Sequence, residues 1–170
     1  AQLMRSELHM LGFCMERLND MVVVTDTEGV DEPSPRIVYV NDAFIATTGY
    51  TREEVIGRSP RLLQGPGSDR AALDTIRSAM KAWQPATVEL VNYRKDDTQY
   101  WVEIAMAPIA DSTGWYTHWV AIERDITERK RAELDIQKLV FYDSLTGLPN
   151  RRMLIDRLRK AVSSLGRHGR

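Results

Sequence analysis

Apolar residues at the start of the chain recur at helical spacing. Met4, Leu8, Leu11, Met15 and Leu18 stand 4, 3, 4 and 3 residues apart, which is one stripe of a helix over residues 3–19. Two heptads are too short to hold a free coiled coil in water, so the stripe predicts either cover for a sheet or contact with a second copy. The period then shortens. Met21 to Thr25 and Arg36 to Val40 are short runs rich in β-branched residues, with Gly29, Pro33 and Pro35 between them, and they predict two strands and a connection. Asn41 and Asp42 can cap a helix that turns Phe44, Ile45 and Thr48 inward and stops at Gly49. Thr51 with Glu53 and Glu54 starts another turn before Gly57, and Ser68-Asp69 caps a longer helix from Arg70 to Trp83, with Pro85 just beyond it.

Three strands are predicted next, Thr87 to Arg94, Tyr100 to Pro108 and Tyr116 to Arg124, with turns at Asp96-Asp97 and Asp111-Ser112-Thr113-Gly114. Alternation places Val88, Leu90 and Asn92 on one side of their strand, and Trp119, Ala121 and Glu123 on one side of theirs. Each inward row ends in a polar residue, and a buried amide or carboxylate without a partner costs about 1–3 kcal/mol. From Ile126 the pattern is helical and charged, with Ala132, Ile136 and Leu139 on a narrow stripe. Gly147-Leu148-Pro149 breaks it before a second amphipathic helix carrying Met153, Leu154, Leu158 and Val162. The fold class is therefore α+β: a five-stranded antiparallel sheet with flanking short helices, plus helices at both ends.

The chain has 170 residues, 43% hydrophobic and 28% charged, a globular composition far from that of disordered chains. No apolar run approaches the roughly 18 residues of a membrane span and no secretory pattern opens the chain, so a cytoplasmic protein without membrane contact is expected. Cys14 is the single cysteine, and His9, His118 and His168 are far apart, which argues against a disulfide or a structural metal. No nucleophile with a base and no metal cluster stands out, so an enzyme is not expected. His118 has outward parity, which disfavours haem. Residues 1–125 carry 12 Lys and Arg against 19 Asp and Glu, and residues 126–170 carry 11 against 5. The basic part interleaves its charges with Leu, Ile and acidic residues, as a solvated helix face does, and no nucleic-acid contact is expected.

Val-Tyr-Val-Asn-Asp-Ala-Phe at 38–44, Thr-Gly-Tyr at 48–50, Glu-Val-Ile-Gly-Arg at 54–58 and Arg-Asp-Ile-Thr-Glu-Arg-Lys at 124–130, in this order, resemble a PAS sensory domain. Within that group, Gly57 to Gly65 and Asn92 to Asp96 resemble the flavin-binding LOV subgroup. That resemblance implies a noncovalent FMN or FAD, with Asn92 and Glu123 at the polar edge of its ring. Val102 and Glu123 stand where the subgroup has an amide and a glutamine. Arg58, Arg61 and Gln64 would lie on the ribityl-phosphate side, and Trp119 against the ring. Pro60 replaces the photoactive cysteine of the subgroup, so no thiol can attack an excited flavin there. Asp143 to Arg152 (DSLTGLPNRR) resembles the entry of GGDEF diguanylate cyclase domains of bacterial signalling proteins, which make cyclic di-GMP from GTP; the signature of that family would fall beyond residue 170.

The resemblance divides the chain into an N-terminal amphipathic helix (1–19), a PAS domain (20–125), a linker helix (126–142) and the start of a GGDEF domain (143–170). It implies a sensor that relays redox or ligand state through a dimeric linker to a cyclase output. A homodimer is expected through Leu8, Leu11, Met15 and Leu18 of the first helix and Ile136 and Leu139 of the linker. The competing reading is a cofactor-free PAS dimerisation module, which the apolar Val102 favours.

Overall fold

The computed structural model describes residues 19–27, 35–143 and 145–165. The stripe of Leu8, Leu11, Met15 and Leu18 lies outside them, as does Cys14. Among the described residues five strands form one antiparallel sheet: β1 (Met21–Thr25), β2 (Ile37–Val40), β3 (Ala86–Tyr93), β4 (Gln99–Ala110) and β5 (Tyr116–Asp125). Their spatial order is β2-β1-β5-β4-β3, so the first and last strands meet in the middle, with Val23 opposite Ala121. The α+β fold expected from the alternation of periods is the one observed.

Between β2 and β3 the chain forms α1 (Asp42–Thr48), α2 (Arg52–Val55), a 3-10 turn (Pro60–Leu63) and α3 (Arg70–Ala82). Asn41 does two tasks at once. Its Oδ1 accepts from the Phe44 N–H at 3.2 Å, capping α1, and from the Val22 N–H at 2.9 Å, while its Nδ2 donates to the Asp20 carbonyl at 3.0 Å. One buried amide thus fixes the helix against the start of β1. Gly49 ends α1 at φ 78°, a conformation that a Cβ disfavours. Asp69 caps α3 by accepting from the Ala71 N–H at 3.0 Å. Trp83, expected as the last helical residue, is instead its left-handed cap at φ 53°.

The core lies between these helices and the inner sheet face, centred on Met21, Val23, Ile37, Val40, Phe44, Val55, Leu63, Leu90, Tyr100 and Val102. Fully burying such side chains contributes about 1.5–3 kcal/mol each. Along β4 the row Tyr100, Val102, Ile104 and Met106 is buried, as alternation requires. On β5 the register with β4 is constant from Asp125 to His118, after which Tyr116 instead of Thr117 faces Ala110. Thr117 is an extra residue, and such a bulge re-aims the side chains beyond it. Tyr116 is thereby carried to the side of β5 on which Trp119 lies, and Trp83 stacks on both rings.

The chain divides after Thr127 into two compact units. α4 (Thr127–Phe141) leads into the second, followed by α5 (Arg151–Leu165). Residues 145–150 turn back beneath Asp143, whose carboxylate accepts from the Leu145 N–H at 3.0 Å and the Thr146 N–H at 2.9 Å. Asn150 closes the turn, with Oδ1 accepting from the Met153 N–H at 3.1 Å and Nδ2 donating to the Val140 carbonyl at 2.8 Å. No residue of α4 is buried.

Candidate functional site

The first unit encloses a cavity of about 160 Å³ between the inner sheet face and the helices. α3 supplies Leu73, Ile76, Arg77 and Met80, and the 3-10 turn with its flanks supplies Pro60, Arg61, Leu63 and Gln64. The sheet supplies Val23, Thr25, Leu90, Asn92, Ile104, Met106, Trp119, Ala121 and Glu123. The wall is apolar except at a few points, as in small-molecule sites generally.

Those points decide the chemistry. Glu123 is 4% exposed, and among the described residues its Oε2 has no hydrogen-bond partner, nor has the Thr25 hydroxyl. Burial pushes the Glu123 carboxyl up to about 7, because a desolvated carboxylate is costly. It can therefore donate or accept a hydrogen bond near neutral pH. Asn92, also buried, presents an amide with both functions. Burial, and then the nearby Glu123 carboxyl, push the Tyr100 hydroxyl far above its ordinary value, with Asn92 and Arg94 opposing.

Glu123 lies in the row of Ile104 and Val88, whereas Asn92 lies opposite Tyr100. Four residues along and two strands across is about 16 Å between Cα atoms at ideal sheet spacings. The two polar groups thus enter the cavity from separate positions on its sheet wall.

Of the residues expected at a site, Asn92, Glu123, Arg61, Gln64 and Trp119 line this one cavity, whereas Arg58 and Val102 do not. Arg58 is exposed. Its backbone is tied to the sheet edge by the Ile37 N–H, which donates to its carbonyl at 2.8 Å, one turn short of the wall. Val102 shares the inward row of Ile104 and Met106 but is fully covered by the core. Ile136 and Leu139 are 60% and 73% exposed.

Arg77 and Thr25 were not singled out by sequence. The first had a signal, because Leu73, Ile76, Arg77 and Met80 follow the spacing of one helix face. Arg77 also pairs with Asp74 at 3.1 Å.

The roof is fastened to β3. The Tyr93 hydroxyl accepts from the Gly67 N–H at 2.7 Å, and the Ser68 hydroxyl donates to the Val91 carbonyl at 2.6 Å. A Cβ on Gly65 would fall on the Tyr93 ring, so this approach requires glycine. Pro60 opens the 3-10 turn and reaches the wall with no reactive atom. Trp119 faces the cavity, Trp83 stacks on it at 5.5 Å between centroids and 11° between planes, and Tyr116 stacks on Trp83 at 4.9 Å and 6°. Among the described residues no cluster of His, Cys, Asp and Glu could hold a metal, and no helix is long and apolar enough to cross a membrane.

A family model described as PAS domain matches residues 19–128. Phototropin-2 of Oryza sativa subsp. japonica is 35% identical over 115 residues, which are 68% of this chain and 12% of that protein. A blue-light-activated histidine kinase of Rhizobium johnstonii is 36% identical over 129 residues, 76% of this chain and 36% of the kinase. The chain thus spans a minor part of these relatives' length. Among solved structures, a light-oxygen-voltage domain studied with a flavin analogue has a TM-score of 0.64 and 29% identity, covering 78% of this chain and 93% of that one. The LOV domain of the Erythrobacter litoralis EL346 blue-light-activated histidine kinase has a TM-score of 0.59 and 31% identity over 65% of this chain and 99% of that one. An RNA-binding light-oxygen-voltage receptor has a TM-score of 0.68 and 30% identity, covering 77% of this chain and 36% of that one. With that neighbour, the expectation that nucleic acid plays no part has no support from the comparisons.

Proposed function

The chain belongs to the PAS domain family through residues 19–128, and from that membership we propose that it is the sensory module of a signalling protein, holding a flavin noncovalently in the cavity. The observation that carries the reading is the unpartnered, buried Glu123 Oε2 on a cavity wall that also bears Asn92 and Thr25. A flavin edge offers donors and acceptors together and satisfies separated polar groups, which an apolar ligand leaves orphaned.

A bound flavin supplies reversible electron transfer coupled to proton uptake. Asn92 and Glu123 orient its polar edge, and Glu123 holds or releases a proton at Oε2. Arg61 and Gln64 stand on the ribityl-phosphate side, where a guanidinium suits phosphate oxygens. Pro60 allows close approach and denies the ring a thiol, so the response follows reductant and not a covalent photoadduct. Glu123 is two residues from Asp125, whose carboxylate receives both Arg94 and the Thr127 N–H at 2.9 Å. A change of hydrogen bonding at Glu123 thus reaches the first turn of α4 along one strand. In a parallel homodimer joined by the N-terminal helix and α4, that change is passed to a GGDEF output making cyclic di-GMP, the domain that DSLTGLPNRR opens.

The test is reconstitution with FMN and FAD separately, a dithionite titration, and illumination with blue light. The expected outcome is a retained flavin, bleached reversibly by dithionite, with no adduct spectrum under light and weaker retention in Asn92→Ala. A chain that retains neither flavin under any condition overturns the reading.

A further inference from the structure

Three aromatic rings leave the cavity in an unbroken line. Trp119 is 4% exposed and forms part of the cavity wall. Trp83, half-buried, lies nearly parallel both to it and to Tyr116, and Tyr116 is 37% exposed. Both separations fall within the range of stacked aromatic pairs, so neighbouring π systems touch from the cavity to the solvent.

The line is assembled from two elements by two local departures from regular structure. The left-handed cap at φ 53° ends α3 at Trp83. The extra residue Thr117 in β5 brings Tyr116 to the side of Trp119, where unbroken alternation would have turned it away. The two residue types, tryptophan and tyrosine, are, apart from cysteine, those whose side chains lose one electron most readily, and they are ordered with the phenol outermost, where its proton can leave to water.

We propose that Trp119, Trp83 and Tyr116 form a one-electron relay between the cavity and a soluble thiol reductant. This rests on the flavin reading above. Trp119 gives one electron to an excited flavin in the cavity; Trp83 refills Trp119 and Tyr116 refills Trp83. Tyr116, the terminal donor, releases its phenolic proton to solvent and becomes a neutral tyrosyl radical. A thiol then returns one hydrogen atom to Tyr116, and two thiyl radicals so formed pair as a disulfide. The matching proton for the flavin comes from the Glu123 carboxyl, which regains one from solvent. The net change is one electron and one proton moved from the thiol to the cavity, with the three rings restored. The relay gives the module a supply of electrons that does not require the reductant to enter the cavity.

The experiment uses the whole chain in three forms, the parent, Trp83→Phe and Tyr116→Phe, the last two keeping a ring in the stack. Without flavin, circular dichroism of the parent is expected to carry an exciton couplet from Trp83 and Trp119 that Trp83→Phe loses; a parent with no couplet overturns the stack. With flavin and excess thiol, illumination and rapid freezing are expected to trap a tyrosyl radical in the parent by electron paramagnetic resonance. That signal should be lost in both variants, with flavin reduction slowed several-fold in Trp83→Phe. Flavin that binds and is photoreduced equally fast in all three forms, with no radical at Tyr116, overturns the relay and leaves the flavin reading intact. Failure of the parent to retain any flavin overturns both.

Discussion

At the scale of the residue, Glu123 sets the acid-base behaviour of the cavity, with Arg61 and Arg77 as the charged groups on the same wall. Its carboxyl moves from an ordinary 4.5 to about 7 in the folded chain. A group that binds its proton more tightly when folded stabilises the fold fully below the unfolded value. That contribution is lost as pH rises from 4.5 to 7, reaching about 3 kcal/mol. In ligand-free protein unfolded with urea at pH 5 and pH 8, Glu123→Gln is expected to remove that loss, so that the variant gains on the parent as pH rises. Parallel profiles would show that the carboxylate is solvated after all. The parity of β3 and β5 was enough to place Asn92 and Glu123 inside. The protonation state was not legible, because it depends on what meets Oε2, and none of the described residues does.

Among the elements, the joint between β5 and α4 is built from side chains four strand positions or fewer from the cavity. Arg94 of the β3 end donates to the Thr47 carbonyl at 2.9 Å, pairs with Asp125 and lies over the Tyr100 ring at 4.6 Å. The Trp101 N–H donates to the Thr127 hydroxyl at 3.0 Å. Asp125→Asn keeps an acceptor for the Thr127 N–H and loses the ion pair, which is partly exposed and worth about 0.5–1 kcal/mol. Asp125→Ala loses both and is expected to cost about 1–2 kcal/mol. Hydrogen exchange at Thr127 should quicken in the alanine variant and stay near the parent rate in the asparagine one; equal rates in all three would remove Asp125 from the joint. The caps at Asn41, Gly49 and Asp69 were readable from residue type. The bulge at Thr117 was not, because an extra residue in one strand is defined by its neighbour's register and leaves no mark on its own sequence.

For the whole molecule, Leu134, Ile136 and Leu139 leave apolar surface on α4 that its own unit does not cover. Burial against a second copy would return about 1.5–3 kcal/mol per side chain before entropic costs. The double variant Ile136→Glu, Leu139→Glu is therefore expected to sediment as a monomer at concentrations where the parent is a dimer, and to keep the parent's flavin spectrum. An unchanged mass in solution would place the interface elsewhere. The order of elements and the position of the cavity were legible because alternation and helix caps report on single strands and helices. Which parts of an inward row meet a cavity and which meet core, the difference between Ile104 and Val102, depends on the packing of helices over the sheet and was not.

The left-handed cap at Trp83 leaves backbone and side chain in disagreement. A residue with a Cβ pays about 1–2 kcal/mol there, glycine is the usual solution, and the indole recovers part of the difference by stacking, about 0.5–1.5 kcal/mol per pair. This is local frustration, which natural chains otherwise avoid and keep where a site demands it. It separates two contributions that are normally inseparable. Trp83→Ala should lose the stack and keep the strain, whereas Trp83→Gly should lose both and unfold about 1 kcal/mol later than the alanine variant, reversing the order found within helices. If alanine is instead the more stable, the cap is relaxed and the tryptophan stands there at no cost to the fold.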